Sequence, residues 1–232
     1  RTDPHVAKHQ GITYFVCPMD LPGIEIRPIV EMTGAHLFNE VFLTAVRLPA
    51  GSVVGEVGRG WELAKATLGN ERVSLSSGGA LWGMGPTGAD LLDVVRARGG
   101  GAARVLPHRP ARLHSTEEIL RLIRLRTVSA RIRGEQPGPE ASIRKVMADE
   151  HGQAIMGLAK DLAGAGGMLA DEGPLGAPAD AWNYGYLFAP ALTIGGGTGD
   201  VQRNILAERV LGLPHDIDVE AGRTWSERRA GG

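Results

Sequence analysis

The chain predicts a mainly α fold, an antiparallel helical bundle preceded by a partial β-sheet. Three features of its 232 residues carry that expectation. Residues 12–17, 24–31 and 41–48 are short β-rich runs separated by Pro and Gly. From Gly60 onward, apolar residues recur at helical spacing. The helical runs then stop at glycine clusters, at residues 99–101 and 164–167. The boundaries expected are a β segment over residues 1–58, a helical bundle over 59–214 and a tail over 215–232.

Each element has a local reason. Ile24 and Ile26 alternate with Glu25 and Arg27, as a half-buried strand requires. Trp61, Leu63, Ala64, Ala66, Thr67 and Leu68 begin a helical pattern that reaches Arg96, interrupted near Gly78, Gly79 and Gly83. Pro107 to Pro110 reads as a loop. Ser115, with Glu118 three residues later, fits a capping box, so the next helix is expected to start there and to end near Gly134. Gly138 and Pro139 open another, with Ile143, Val146, Met147, His151, Ala154, Ile155, Leu158 and Leu162 on one apolar stripe. A final helix is expected from Thr198 to Leu211.

Composition excludes several functions. The formal net charge of −1 is wrong for a general nucleic-acid binder. Arg121, Arg124, Arg126, Arg131 and Arg133 interleave with apolar residues at helical spacing and read as a solvated helix face. No apolar run is long enough for a membrane span. Cys17 is the single cysteine, so no internal disulfide forms, and a reducing, cytoplasmic setting is expected. The seven histidines show no metal-ligand spacing, so no metal is expected, and no Gly-x-Ser-x-Gly elbow is present.

The most informative stretch is Gly195-Gly196-Gly197-Thr198-Gly199-Asp200, a glycine run that opens directly into a helix. Glycines let backbone N–H groups approach a ligand, and a helix N-terminus favours phosphate or another polar group. The run therefore reads as a ligand-facing turn.

This segment, continuing through Val201-Gln202-Arg203 to Leu211-Gly212, resembles the C-terminal signature of flavin-dependent acyl-CoA dehydrogenases. Gly11-Ile12-Thr13-Tyr14-Phe15-Val16, Pro22-Gly23-Ile24 and Arg27-Pro28 are similar to that family's middle β-domain. Val46-Arg47-Leu48-Pro49 and Val54-Gly55-Glu56-Val57-Gly58-Arg59-Gly60-Trp61 are similar to the crossover into its C-terminal helical domain. The resemblance implies an N-terminal helical domain preceding the residues present here. It also implies an FAD cofactor and oxidation of an acyl-CoA thioester to a trans-2-enoyl-CoA. Electrons would pass to an electron-transfer flavoprotein, within a homo- or hetero-oligomer.

The resemblance assigns residues one by one. The usual catalytic Glu of the signature is replaced by Gly196. A minority of the family carries the base on the long helix just before an Arg, and the matching residues are Glu71, the catalytic candidate, and Arg72, the substrate-binding candidate. Taken alone, a helical Glu-Arg pair reads as a solvated surface pair. Gly164, Gly166 and Gly167 match the turn that meets a neighbouring subunit's flavin nucleotide, with Asp161 in place of the usual Gln and Ala165 in place of a Gly. Thr198 and Asp200 complete the cofactor-binding candidates. The family's Arg-x-x-Phe-Gly segment is not readable between Arg96 and Arg121. Loss of the loop Glu leaves room for a bulky or branched acyl chain. The alternative expectation is a non-catalytic partner subunit that completes a neighbour's flavin pocket.

Overall fold

The described residues are mainly helical, with small sheets. The structure, a computed structural model, describes residues 1–77, 81, 85–97, 108–135, 138–139, 141–168 and 179–230. Two units emerge, Arg1–Asn70 with His215–Gly232, and Glu71–Pro214.

In the first unit, β1 (Tyr14–Phe15) pairs antiparallel with β4 (Val53–Val54), and β2 (Ile24–Ile29) forms a hairpin with β3 (Phe38–Leu43). The expected strand over 41–48 is displaced towards the N-terminus. Register explains this: Ile26 lies opposite Val41 and Ile29 opposite Phe38, while Ala45, at φ 50°, turns the chain out of the ladder. Ile26, Ile29, Phe38, Val41, Phe42 and Leu43 are all exposed, so the hairpin buries neither face fully. The 215–232 segment contains a short helix, α7 (Trp225–Ala230), beyond the sequence expectation. A reciprocal capping box starts it: Thr224 Oγ1 accepts from Glu227 N, and Thr224 N donates to Glu227 Oε2. Trp225 N donates to Val6 O at 3.1 Å, which ties this segment to the start of the chain.

Helix α1 (Gly60–Ser77) follows the pattern seen in the sequence, and α2 (Gly88–Ala97) resumes it. Next comes α3 (His108–Ile132), and here the capping-box expectation fails. Ser115 lies inside the helix with its hydroxyl donating to Ala111 O, and Glu118 pairs with Arg121. Pro110 sits in the first turn, where its missing N–H costs nothing, so the helix begins before the position that the Ser-x-x-Glu pattern marks.

Helix α4 (Ala141–Ala163) is the axis of the second unit and packs against α2, α3, α5 (Ala179–Phe188), the 3-10 turn Ala189–Thr193 and α6 (Gly199–Ile205). A π-turn, Leu206–Val210, continues α6 to the expected end of that helix. The core is Leu91, Leu113, Ile155, Met156, Leu158, Ala159, Trp182, Phe188, Ala189 and Leu192, with Leu81 beside them. Gly185 brings α5 onto α4, since a Cβ there would lie 2.6 Å from Met156 Sδ.

The α4 stripe differs from expectation at Ala154, which is exposed, and at its N-terminal end. Ile143 is exposed, whereas Ser142, Lys145 and Asp149 are buried. Lys145 Nζ donates to Asp149 Oδ2 and, at 2.8 Å, to Leu192 O. Each buried charge is therefore met by a partner, the condition on which burial of an ion is tolerable. Burial pushes the Asp149 carboxyl up to about 6, opposed by the hydrogen bond from Lys145.

Candidate functional site

The glycine turn is built from its backbone outward. The 3-10 turn ends at Ile194, and Gly196 and Gly197 follow with φ of 68° and 93°. These left-handed values favour glycine. At Gly197 a second constraint applies, because a Cβ would stand 2.4 Å from Gln202 Nε2. That amide donates to Gly196 O at 3.0 Å and reaches Gly197 O at 3.4 Å. Gln202 is buried, so the first turn of α6 holds the glycine loop from beneath. Thr198 is the N-cap, its hydroxyl accepting from Val201 N at 3.3 Å. Thr198 and Asp200 are exposed, and Gly199 is half-buried.

A cavity of about 210 Å³ lies beside this turn, with Thr193, Thr198 and Gly199 on one side and Val146, Asp149 and Glu150 of α4 on the other. Arg203 also lines it, donating to Glu150 at 2.5 Å and Asp200 at 3.2 Å. Asp200 is thus engaged by a cation of its own helix.

The second glycine turn follows the C-terminus of α4. Gly164 has φ 55°, and the 3-10 turn Gly164–Met168 continues the chain. Gly167 is buried, with its carbonyl accepting from Lys160 Nζ, and Lys160 also donates to Asn183 Oδ1 at 2.8 Å. Gly166 is half-buried and Gly164 exposed. Asp161 is ion-paired with Arg109, from the first turn of α3. The acid that replaces the expected Gln is therefore neutralised by a residue from the region where the Arg-x-x-Phe-Gly segment is missing.

The two glycine turns lie against different parts of one helix, one beside its N-terminal half and the other at its C-terminus. Asp149, beside Thr198, precedes Gly164 by 15 residues. At a helical rise of about 1.5 Å per residue they stand on the order of 20 Å apart. One chain therefore presents two separate surfaces.

Glu71 lies in the C-terminal half of α1 and is exposed. It does not line the cavity beside Thr198. Arg72 follows it on α1, and its side chain lies outside the described residues. Two features escaped sequence reasoning. The Lys145–Asp149 pair has the i,i+4 spacing of an ordinary surface pair and carries no signal of burial. The Arg109–Asp161 contact joins residues 52 apart in sequence. Gln202 belongs to the signature already quoted, but its role as a staple is visible only in three dimensions.

No helix among the described residues is long and apolar enough to cross a membrane, and no described cluster of His, Cys, Asp and Glu could hold a metal ion.

Residues 58–211 match the family described as acyl-CoA dehydrogenase, C-terminal domain. Acyl-CoA dehydrogenase FadE34 of Mycobacterium tuberculosis is 38% identical over 215 residues, covering 92% of this chain and 28% of that protein. Acyl-CoA dehydrogenase IpdE1 of Mycolicibacterium smegmatis is 35% identical, covering 94% of this chain and 53% of the relative. The chain thus spans about half or less of the length of these relatives. Among solved structures, the Tcur3481-Tcur3483 steroid ACAD superposes with a TM-score of 0.77 at 28% identity, covering 93% of this chain and 56% of that one. The ChsE4-ChsE5 complex from Mycobacterium tuberculosis gives 0.72 at 26% identity, covering 90% and 54%. With the glycine turn, its Gln202 staple and the surrounding bundle all in place, the chain belongs to the acyl-CoA dehydrogenase family.

Proposed function

We propose that this chain is a subunit of an FAD-dependent acyl-CoA dehydrogenase that oxidises the Cα–Cβ bond of an acyl-CoA to a trans-2-enoyl-CoA. The single observation that carries this reading is the pairing of Gly196, where the signature base would stand, with an exposed Glu71 at the alternative position on α1. The reaction needs a carboxylate to take the α-proton, and Glu71 is the residue proposed for it. Arg72 is the proposed contact to the acyl-CoA.

Acyl-CoA dehydrogenase family members are flavoproteins. The residues present fit part of a flavin site. Gly197 and Thr198 offer closely approachable backbone and a hydroxyl, and Gly164, Gly166 and Gly167 offer a second backbone turn. Asp200 would act chiefly through Arg203, which it holds. Bound FAD would supply the acceptor for the hydride leaving the β-carbon. Because the two turns face different places, the reading includes an oligomer in which Gly164–Met168 meets a neighbour's cofactor. The solved relatives Tcur3481-Tcur3483 and ChsE4-ChsE5, each named for two chains, support that arrangement. Proposed with it are an electron-transfer flavoprotein as electron acceptor and a cytoplasmic location.

The proposed acyl chain is bulky or branched. Glycine at 196 removes side-chain volume at the turn, and one structural relative, Tcur3481-Tcur3483, is a steroid ACAD. Purified protein with its native partner should be yellow, and its oxidised-flavin absorbance should bleach under anaerobic addition of a steroid-derived acyl-CoA. Bleaching by short linear acyl-CoAs alone would overturn the bulky-chain assignment.

A second reading is favoured by Gly196 itself: a subunit that completes a neighbour's flavin pocket and does no chemistry. It predicts bleaching that is insensitive to loss of Glu71.

A further inference from the structure

A larger cavity, about 490 Å³, lies within the second unit between α2, α3 and α4. None of its lining residues belongs to the reaction proposed above. Its polar wall is unusual because it is cationic and incompletely paired. Arg96 and Arg121 are tied to Asp93 and Glu118 of their own helices. Arg124 of α3, which is exposed, and Arg144 of α4, which is half-buried, line the same space. The Nε of Arg144 is fully shielded from solvent and lacks a partner. Burial and the neighbouring Arg124 both hold the Arg144 guanidinium below its usual range.

His151 gives an independent sign. It is 7% exposed, it lines the cavity, and both ring nitrogens are buried without a partner. Buried polar groups are normally satisfied, so an orphaned imidazole beside an open cavity marks the place of a missing partner. Glu117 is the acid in the wall with no ion pair among the described residues; burial raises its carboxyl, and His114 nearby opposes that shift. The wall also has an apolar part, including Ala89, Leu92, Leu120 and Ile155. A bare inorganic anion would satisfy the guanidiniums and leave this surface uncovered.

We propose that this cavity binds a small amphiphilic anion, its oxyanion head on Arg124 and Arg144 and its apolar body against Leu92, Leu120 and Ile155. Two guanidiniums from separate helices suit a carboxylate head, because each offers a planar fork of donors. The His151 ring supplies one further hydrogen bond.

Octanoate is the probe. Calorimetric titration of the chain, in the assembly it forms in solution, should give saturable binding at one site per chain. Arg124→Gln and Arg144→Gln should each weaken it by about tenfold, the loss of one charge-assisted hydrogen bond. Inorganic phosphate and uncharged octanol should bind at least about tenfold more weakly, each lacking half of the recognition. Should either variant fold poorly, the wild-type His151 ring resonances, assigned by isotope labelling, should shift on adding octanoate and not on adding octanol. Absence of saturable binding would overturn the proposal. So would phosphate or octanol binding as tightly as octanoate, undiminished binding in both variants, or His151 resonances that do not move.

Discussion

Gly197 combines a left-handed φ of 93° with a Cβ position 2.4 Å from the Gln202 amide, so two independent constraints select glycine. Gly197→Ala should destabilise the chain by about 1–3 kcal/mol, through backbone strain and displacement of the Gln202 side chain. Urea unfolding with an unchanged m-value checks this, and an unaltered midpoint would show that the turn relaxes freely. The glycine run was legible in the sequence as a turn, because its composition is local information. Its fastening by Gln202 was not, since a buried glutamine and an exposed one look alike in a helical pattern. The same limit applies at Asp161, whose partner Arg109 lies on another helix. That pair is exposed on both sides and adds little stability, about 0–1 kcal/mol.

At the scale of elements, α4 organises the bundle, and its N-terminal half depends on the buried Lys145–Asp149 pair. Removing either partner leaves the other charge buried and uncompensated. Lys145→Met or Asp149→Leu alone should cost about 3–5 kcal/mol, whereas the double variant should cost markedly less because no orphaned charge remains. Chemical denaturation of the three variants forms a double-mutant cycle, and strictly additive losses would contradict the pairing. Sequence periodicity located α1, α2, α4 and α6 because apolar spacing and glycine stops agree there. It failed on the start of α3 for a definite reason. Ser-x-x-Glu at 115 and Thr-x-x-Glu at 224 carry the same pattern, but only Thr224 follows a segment that is not already helical. Helix α5 went unread because its residues, Ala179–Phe188, are apolar or aromatic nearly all round and offer no amphipathic stripe.

At the scale of the molecule, α3 presents Ile119, Leu122, Leu125, Val128 and Ile132 to solvent at spacings of three and four. Such a row on one helix face is the form of an interface between helices. The protein should therefore sediment as a dimer or a larger assembly, and Leu122→Glu with Leu125→Glu should shift it towards monomer. A wild-type monomer at micromolar concentration would contradict this. The family was readable from the joint occurrence of the glycine signature and the β-domain motifs, and residues 58–211 match that family. The base was less legible, because its assignment rests on a residue that the chain leaves exposed. The most direct measurement is therefore anaerobic, single-turnover bleaching of the flavin in the assembled protein, comparing wild type with Glu71→Gln. The substitution keeps size and hydrogen bonding while removing basicity, so acyl-CoA should still bind, and the bleaching rate should fall by about 100-fold or more. A near-normal rate in Glu71→Gln would contradict the account and leave this chain as the silent partner of a catalytic neighbour.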